Sequence, residues 1–274
     1  MFKVPFTIVL LFWSVNKAQL KEQKHGNHSH DWDLLIFTQQ WPETVCKDWV
    51  HQNPSHTCVM PKKQDSWSIH GIWPTKLGTM GPQFCNRTWH LDPEEIRPIE
   101  TDLINIWTNI EGGTGPYSLW EHEWSKHGTC AAVLQPLNSP LNYFSMGLQF
   151  FKKYDMSAIL AQSAIVPDDN VEYKSIDIQN AVRNSLKVYP SVRCRSEEGK
   201  TYLSEIRICF DKKLSLCDCD HKSDRKVILS NSILTDTTSC DHADGILYPH
   251  NWNPPKTVYL QLYNLISWVQ WLTL

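Results

Sequence analysis

The chain has 274 residues, of which 41% are hydrophobic and 20% charged, so it can bury a core as one large domain or two small ones. This composition excludes a disordered chain, and 11 Gly with 16 Pro are too few for a collagen-like or low-complexity one. The formal net charge of −3 excludes a broadly basic surface, so any affinity for nucleic acid must come from a local site.

The first residues are typical of a secretory signal peptide. A single lysine, Lys3, precedes an uncharged apolar run over residues 4–15, which matches the basic and apolar parts of such a signal. The run is well short of the ~20 residues that span a bilayer. We therefore expect a signal peptide over residues 1–18, with Ala18 near the cleavage site, and then a flexible polar segment over residues 19–31.

Short apolar runs predict two strands in the first third of the chain. These runs cover residues 33–40 and 67–72, and Trp41-Pro42 is expected to end the first one in a loop. A helix with a proline interruption is predicted over residues 93–107.

The next predicted helix begins at a capping box. Ser118 and Glu121 have the required spacing, and the helix is expected to run through Lys126 and to stop at Gly128.

The second half of the chain adds two helices and two strands. Apolar spacing predicts a helix that starts at Ser139-Pro140, a second helix, and strands over residues 202–210 and 227–229. The core-facing side chains are predicted to be Phe144, Leu148, Phe151 and Met156 in the first helix and Ile178, Val182 and Leu186 in the second. Helices between strands without regular βαβ alternation predict an α+β fold in a single domain.

The last residues, 257–274, are apolar but interrupted by amides. This tail is equally compatible with an interfacial helix, a hydrophobic anchor signal or an unnatural chain end, so its contact with a membrane stays open.

Nine cysteines in a chain that enters the secretory pathway predict disulfides, and the odd count leaves one thiol over. Cys217, Cys219 and His221 form a group that resembles metal ligands, but a closed structural zinc site needs a second ligand pair, so bridges are favoured. Asn27 and Asn86 both begin N-glycosylation sequons, which predict glycosylation only if the chain enters the secretory pathway.

The segment from His122 to His127 is the densest cluster of ionisable groups in an apolar stretch. On an α-helix, His122, Glu123, Lys126 and His127 share one face, and Trp124 points away from it. The metallopeptidase pattern needs histidines four apart, whereas these are five apart, so zinc hydrolysis is not expected. Alone, this hexapeptide is equally compatible with a solvated charged face.

A second segment, Trp-Ser-Ile-His70-Gly-Ile-Trp73-Pro74, places a histidine in a strand-like run. Alone, His70 would more often be a core histidine than a catalyst. Together the two segments supply two imidazoles for proton transfer, a cation for phosphorane charge and an aromatic face for a base. This combination suits phosphodiester transfer within RNA, for which no metal or other cofactor is needed.

These two segments resemble the two active-site segments of the ribonuclease T2 family, in the family's order and separation. Gln40-Trp41-Pro42 with Cys46, and Cys85-Asn86-Arg87-Thr88, are also similar to family features, so the resemblance covers roughly residues 32–250. It implies a mainly antiparallel central sheet flanked by helices, within a ribonuclease domain over residues 32–256. It further implies secretion or residence in the lysosomal or vacuolar lumen.

The resemblance also implies a role for each site residue. His127 matches the general base on the ribose 2′-hydroxyl, and His70 matches the general acid on the leaving 5′-oxygen. Glu123 and Lys126 match the pair that stabilises the pentacovalent phosphorus, and His122 matches a phosphate ligand. Trp73 and Gln40 are expected to bind substrate, Trp73 by stacking on a base.

The bridges that the resemblance implies are Cys46 with Cys58, Cys85 with Cys130, Cys194 with Cys240, and Cys209 with Cys219. Cys217 is then left over, although it could instead pair with Cys209. Many members have Asp directly after Trp-Pro, whereas this chain has Thr75, so its base preference stays open.

The expected function is that of a monomeric endoribonuclease that cleaves single-stranded RNA, but not DNA, without a metal and best at acidic pH, through a 2′,3′-cyclic phosphate. One alternative is a catalytically silent recognition protein on the same fold. Silent relatives typically lose a catalytic histidine, whereas this chain has both. A metal-dependent hydrolase that uses the His-rich elements is the other alternative.

Overall fold

The computed structural model describes residues 31–79, 81–115, 117–219, 238–240, 243 and 245–250. The predicted signal peptide, nearly all of the polar segment with Asn27, the strand over residues 227–229 and the apolar tail lie outside these ranges. Among the described residues, no helix is both long and apolar enough to cross a bilayer.

The described strands form one mixed, mainly antiparallel sheet. The strands are Leu34–Gln40 (β1), Ser68–Thr75 (β2), Asp168–Tyr173 (β3), Ser191–Glu197 (β4), Lys200–Phe210 (β5), Leu216–Cys217 (β6), Thr238–Ser239 (β7) and Ile246–Tyr248 (β8). The central order is β2-β1-β5-β4-β7, while β6 and β8 pair with β5, and β3 pairs with β8. Only the β5–β8 pair is parallel among the described strands.

Helices flank this sheet, as the α+β prediction requires. They are Pro42–Gln52 (α1), Pro93–Ile96 (α2), Glu100–Ile106 (α3), Ser118–Glu123 (α4), Thr129–Ala131 (α5), Pro140–Lys153 (α6), Met156–Ala161 (α7) and Ser175–Leu186 (α8). Short 3₁₀ turns occupy Arg97–Ile99 and Gln135–Leu137, and a π-helical turn over Trp124–Gly128 joins α4 to α5. The predicted break in the helix over residues 93–107 is confirmed, since a 3₁₀ turn separates α2 from α3.

Three local predictions about where elements begin and end are wrong. Pro42 does not begin a loop but is the first residue of α1, where its missing N–H is not needed. Ser118 is the first residue of α4 rather than its cap, and its Oγ accepts a hydrogen bond from Asn109 instead of one from the helix backbone. Gly128 does not end the helix either, since its φ of −58° is helical and the chain continues into α5.

The buried face of α6 lies about one residue away from the predicted one. Tyr143, Phe144, Gly147 and Phe150 are buried, whereas Leu148 and Phe151 are only half-buried. Met156 is buried, but it begins α7 because Asp155 caps that separate helix. In α8, Ile178 and Val182 are buried as predicted, and Leu186 is half-buried.

α6 packs against one face of the central strands. The ring of Phe150 lies 5.6 Å from that of Phe37 in β1 and stacks at 4.4 Å on that of Phe210 in β5. Since side chains alternate along a strand, Glu205 and Arg207 of β5 lie on the opposite face. That opposite face is left open for a cleft.

A β-bulge interrupts the pairing of β1 with β2. Thr38 pairs with Gly71 and Gln39 pairs with Ile69, so His70 is the extra residue. Its carbonyl lies outside the β1–β2 pairing and accepts a hydrogen bond of 2.9 Å from the indole of Trp107. Because a bulge shifts the alternation by one residue, His70 and Trp73 reach the same face although they are three apart.

Four disulfides cross-link the described chain, in the pairing that the resemblance implies. They are Cys46–Cys58, Cys85–Cys130, Cys194–Cys240 and Cys209–Cys219. Cys217 keeps a free thiol, so the alternative bridge to Cys209 is not formed. Cys219 is bridged, which removes it from the metal-ligand group considered above.

The π-helical turn depends on a glycine. A Cβ at Gly128 would lie 2.3 Å from the ring of Trp124, which is fully buried. We expect Gly128→Ala to lower the free energy of unfolding by about 1–2 kcal/mol, because overpacking outweighs the gain in helix propensity. Urea denaturation measures this change. Gly115→Ala is the control, since its Cβ would meet no atom within 4 Å, and equal stability of the two variants would contradict the prediction.

Candidate active site

All seven predicted site residues line one cleft of about 800 Å³ on the open face of the sheet. They are Gln40, His70, Trp73, His122, Glu123, Lys126 and His127. The strand segment supplies one wall and the turn that follows α4 supplies the other. The sequence therefore identified two segments that the fold brings together.

The bulge turns His70 toward the cleft, and β5 holds its ring from behind. Its Nδ1 lies 2.7 Å from Oε1 of Glu205. A carboxylate can only accept a hydrogen bond, so Nδ1 carries the proton and Nε2 is left for the cleft. The other carboxylate oxygen of Glu205 accepts hydrogen bonds from Nε and Nη2 of Arg207 at 2.9 and 2.5 Å.

The π-helical turn sets the distance between the two histidines of the second segment. In such a turn the backbone hydrogen bond joins residues five apart, so His127 is brought back toward His122. One ring nitrogen each of His122 and His127 and one carboxylate oxygen of Glu123 lie within 4.8 Å of one another. On a regular α-helix, a spacing of five residues would turn the two imidazoles farther apart around the helix axis. Trp124 points into the core, as predicted.

Glu123 joins the two segments. Its side chain is buried and accepts a hydrogen bond of 2.8 Å from the indole nitrogen of Trp73. The carboxyl lies directly over Gly71, where a Cβ would be 2.0 Å from Oε2. Only glycine at this position lets the strand and the turn approach so closely.

Trp73 lies between the two principal histidines. Its ring centroid is 5.0 Å from that of His70 and 5.5 Å from that of His127. The guanidinium of Arg207 lies 5.0 Å from the Trp73 ring centroid. Gln40, at the end of β1, is 5% exposed and pairs with Glu205 in the β1–β5 register.

The surroundings shift the pKa values of the two histidines in opposite directions. Burial alone would lower the pKa of His70, but its hydrogen bond to Glu205 and the nearby carboxylates raise it above the usual 6.5. Burial, the adjacent Lys126 and the other two histidines hold the pKa of His127 well below 6.5. Such opposite shifts are what an acid and a base at one site require.

The surroundings also shift the pKa values of two carboxyl groups, Glu123 and Glu205, in opposite directions. Burial raises the pKa of Glu123 to about 7, even though His70, Trp73 and Lys126 favour its charged form. Burial also opposes ionisation of Glu205, yet Arg207 and His70 hold its pKa far below the usual value. Glu123 is therefore protonated under acidic conditions, while Glu205 stays charged. His122 is exposed at the rim of the cleft, but the loss of water on its protein-facing side and the cations Lys126 and His70 still lower its pKa.

The sequence did not identify Glu205 and Arg207, although both lie in a predicted strand. A signal was present, since two charged residues at alternate positions of an otherwise apolar strand must share a face. The sequence could not show that this face meets His70, because that contact depends on the order β2-β1-β5.

Comparisons with known proteins agree with this fold and this cleft. A model of the ribonuclease T2 family matches residues 32–219. Ribonuclease Oy of Magallana gigas is 34% identical over 223 residues, which cover 80% of this chain and 97% of that protein. Ribonuclease T2 of Sus scrofa is 35% identical over 195 residues, which cover 69% of this chain and 90% of that protein.

Solved structures give the same result. The crystal structure of human RNase T2 matches with a TM-score of 0.64 and 28% identity, over 80% of this chain and 99% of that one. RNase NT in complex with 5′-AMP matches with a TM-score of 0.63 and 26% identity, over 80% and 98% of the two chains. The fold is thus that of RNA-cleaving enzymes. The chain belongs to the ribonuclease T2 family and is a T2-type endoribonuclease.

The opposite pKa shifts can be measured directly. At pH 6.5, we expect His70 to be more than half protonated and His127 to be mostly neutral, from the surroundings described above. Titration of ¹⁵N-histidine-labelled protein, followed by NMR of the ring nitrogens, tests this. His70→Gln and His127→Gln variants assign the signals, and the reverse order of the two pKa values would contradict the prediction.

Proposed function

We propose that this endoribonuclease cleaves single-stranded RNA by attack of a ribose 2′-hydroxyl on its own neighbouring phosphate, with His127 as the general base and His70 as the general acid. The observation that carries this assignment is the arrangement of the two imidazoles against Trp73 in one cleft, where His70 is hydrogen-bonded to the Glu205 carboxylate and His127 lies next to Lys126. These surroundings raise the pKa of His70 and lower that of His127. The nucleophile is already part of the substrate, so positioned proton donors and acceptors suffice.

In the first step, neutral His127 takes the proton of the 2′-hydroxyl while the 2′-oxygen bonds to phosphorus. Protonated His70 gives its Nε2 proton to the 5′-oxygen as the bond from that oxygen to phosphorus breaks. The product is a 2′,3′-cyclic phosphate. Water then opens this ring with the two histidines in reversed roles, which microscopic reversibility requires.

The pentacovalent phosphorus carries extra negative charge, which three further side chains can stabilise. Lys126 contributes a cation. Glu123 contributes a proton, since a neutral carboxyl can donate a hydrogen bond to a phosphoryl oxygen, whereas a carboxylate would repel it. His122, which is exposed at the rim, is assigned to a non-bridging phosphate oxygen.

This assignment predicts an acidic optimum. The base fails when pH falls below the lowered pKa of His127, and the acid fails when pH rises above the raised pKa of His70. Glu123 loses its proton above a pKa of about 7. The most active state therefore lies on the acidic side of neutrality.

Base recognition is assigned to Trp73 by stacking and to Gln40 by its amide. Two solved family structures support a nucleotide site, since RNase NT and an RNase MC1 mutant were crystallised with 5′-AMP and 5′-UMP. No observation favours the catalytically silent alternative, because both histidines are present and face one cleft.

The proposed enzyme is a monomer that needs no metal or cofactor. It is secreted or resides in the lysosome. The four disulfides suit an oxidising compartment. Asn86 and Thr88 of the sequon are exposed, so a glycan on Asn86 would meet no steric obstacle from the described chain.

The two histidines provide the first test. His70→Ala and His127→Ala should each remain folded and lose RNA cleavage by ~10²-fold or more, which is the usual value of one positioned proton transfer. Rates on a single-stranded oligoribonucleotide in excess chelator measure this. A variant with a nearly unchanged rate would exclude its assigned role, and loss of wild-type activity in chelator would favour the metal-dependent alternative.

The 2′-hydroxyl provides the second test. An oligonucleotide with one deoxyribose at the scissile position should resist cleavage at that position, while flanking ribose positions are cut normally and serve as the control. DNA should resist altogether. Efficient cleavage at the deoxyribose would mean that water is the nucleophile.

Trp73 provides the third test. Trp73→Ala should raise KM, because stacking on a base is worth ~1–3 kcal/mol, and lower kcat, because the buried carboxyl of Glu123 loses its hydrogen-bond donor. Trp73→Phe should recover much of the KM, but its kcat should stay low because Phe cannot donate to Glu123. A large loss of Tm with unchanged KM would instead make Trp73 a structural residue.

A further inference from the structure

Glu205 and Arg207 form a buried ion pair directly behind His70, and the reaction described above does not use them. Glu205 is 3% exposed, and the side chain of Arg207 is 12% exposed. Both carboxylate oxygens are engaged, one by His70 and the other by two nitrogens of Arg207. A buried ion pair seldom stabilises a fold more than apolar residues would, so its place beside a reactive group is informative.

Arg207 fixes the carboxylate in position. Its guanidinium holds Oε2 through two hydrogen bonds and also lies over the ring of Trp73. Because Oε2 is held, Oε1 has one direction in which to accept, and His70 fills it at 2.7 Å. Arg207, Glu205 and His70 therefore form a chain that ends at the cleft.

We propose that Glu205, held by Arg207, is a positioning residue that orients His70 and keeps a proton on its Nδ1, so that Nε2 faces the leaving 5′-oxygen. The inference rests on the proposed role of His70 as the general acid. Glu205 touches neither the substrate nor the reacting atoms, and it acts only through His70. After His70 has given up its Nε2 proton, Nδ1–H still donates to the carboxylate, so the ring is already oriented to act as the base in ring opening.

Charged groups from two sides face His70. Their separate effects on its pKa determine the direction of the shift that the test should show. Those that face it are Glu205 and Arg207 from β5, and Glu123, His122 and His127 from α4 and the π-helical turn. The two carboxyl groups raise the pKa of His70, whereas burial and Arg207 lower it. Glu205 is the only one of these groups that is hydrogen-bonded to the ring in the described structure, so its charge has the largest single upward effect.

Glu205→Gln is the main variant, because it removes the charge and keeps the size. The pKa of His70, read from its NMR titration, should fall, and the alkaline limb of the kcat/KM profile on a dinucleoside phosphate should move to lower pH. Above the new limb, the rate should drop about tenfold for each pKa unit lost. An unchanged limb and an unchanged His70 titration in folded Glu205→Gln protein would overturn the proposal.

A substrate with an activated leaving group separates positioning from a general loss of structure. Uridine 3′-(4-nitrophenyl phosphate) releases nitrophenolate, which needs no proton from His70. Glu205→Gln should therefore strongly reduce the rate of cleavage of the dinucleoside phosphate and reduce that of the nitrophenyl ester only slightly. Equal slowing of both substrates would mean that Glu205 only maintains the fold, which would overturn the proposal.

Glu197→Gln is the matched control. Glu197 lies on the neighbouring strand β4 and pairs with Lys47, so this change also removes one carboxylate from an ion pair, but outside the cleft. Its pH profile should equal that of the parent protein.

A second variant keeps the test usable if unpaired Arg207 prevents folding. The double variant Glu205→Gln/Arg207→Gln removes both charges and leaves no buried ion without a partner. It should also show a lowered pKa of His70 and the same selective loss on the dinucleoside phosphate. A parent-like His70 titration in the double variant would again overturn the proposal.

His70→Ala distinguishes failure of this inference from failure of the proposed function. If His70 is the acid, His70→Ala slows the dinucleoside phosphate far more than the nitrophenyl ester. If it slows both equally, the role of His70 as the acid is wrong, whatever Glu205 does. If His70→Ala discriminates between the substrates and Glu205→Gln does not, only the role of Glu205 is wrong.

Discussion

The buried carboxyl of Glu123 is the contact on which the geometry of this ribonuclease depends. It lies over Gly71 of β2, accepts the indole hydrogen of Trp73, and belongs to the last residue of α4, the helix that carries His122 and leads into the π-helical turn of His127. The strand that holds His70 is thereby fixed against the turn that holds His127. The same burial raises the pKa of Glu123 to about 7, so the group that joins the two segments keeps its proton under acidic conditions.

Two departures from regular backbone geometry aim the reactive side chains. A β-bulge adds His70 as an extra residue, so it shares a face with Trp73. A π-helical turn brings His127 toward His122, which an α-helix of the same sequence would hold farther apart. Both irregularities are held by buried aromatic residues, the bulge by Trp107 and the turn by Trp124 packed against Gly128. The tryptophan-rich composition thus serves the core beneath the site as much as the site itself.

The surrounding charges give two chemically identical imidazoles opposite preferences for the protonated state. Glu205 and Glu123 favour the charged form of His70, and Lys126 with the neighbouring histidines disfavours the charged form of His127. The two rings both contact the same indole, so these opposite environments exist within one small cleft. The low-dielectric interior makes the contrast larger than it would be at an exposed surface.

The sequence by itself determined the α+β class, the central strands β1, β2 and β5, the interrupted helix and seven of the residues that line the cleft, because apolar periodicity and the motifs that resemble those of the family are local signals. It did not determine α1, β3 or β4, the end of α4, or the buried face of α6. The free thiol of Cys217 was also undecided, since two cysteines two residues apart are equivalent partners until the strands pair. Above all, Glu205 and Arg207 read as ordinary strand residues until the tertiary structure placed β5 near β2. Hydrogen bonds between residues 135 positions apart depend on strand order and register, and neither is encoded in any short stretch of the chain.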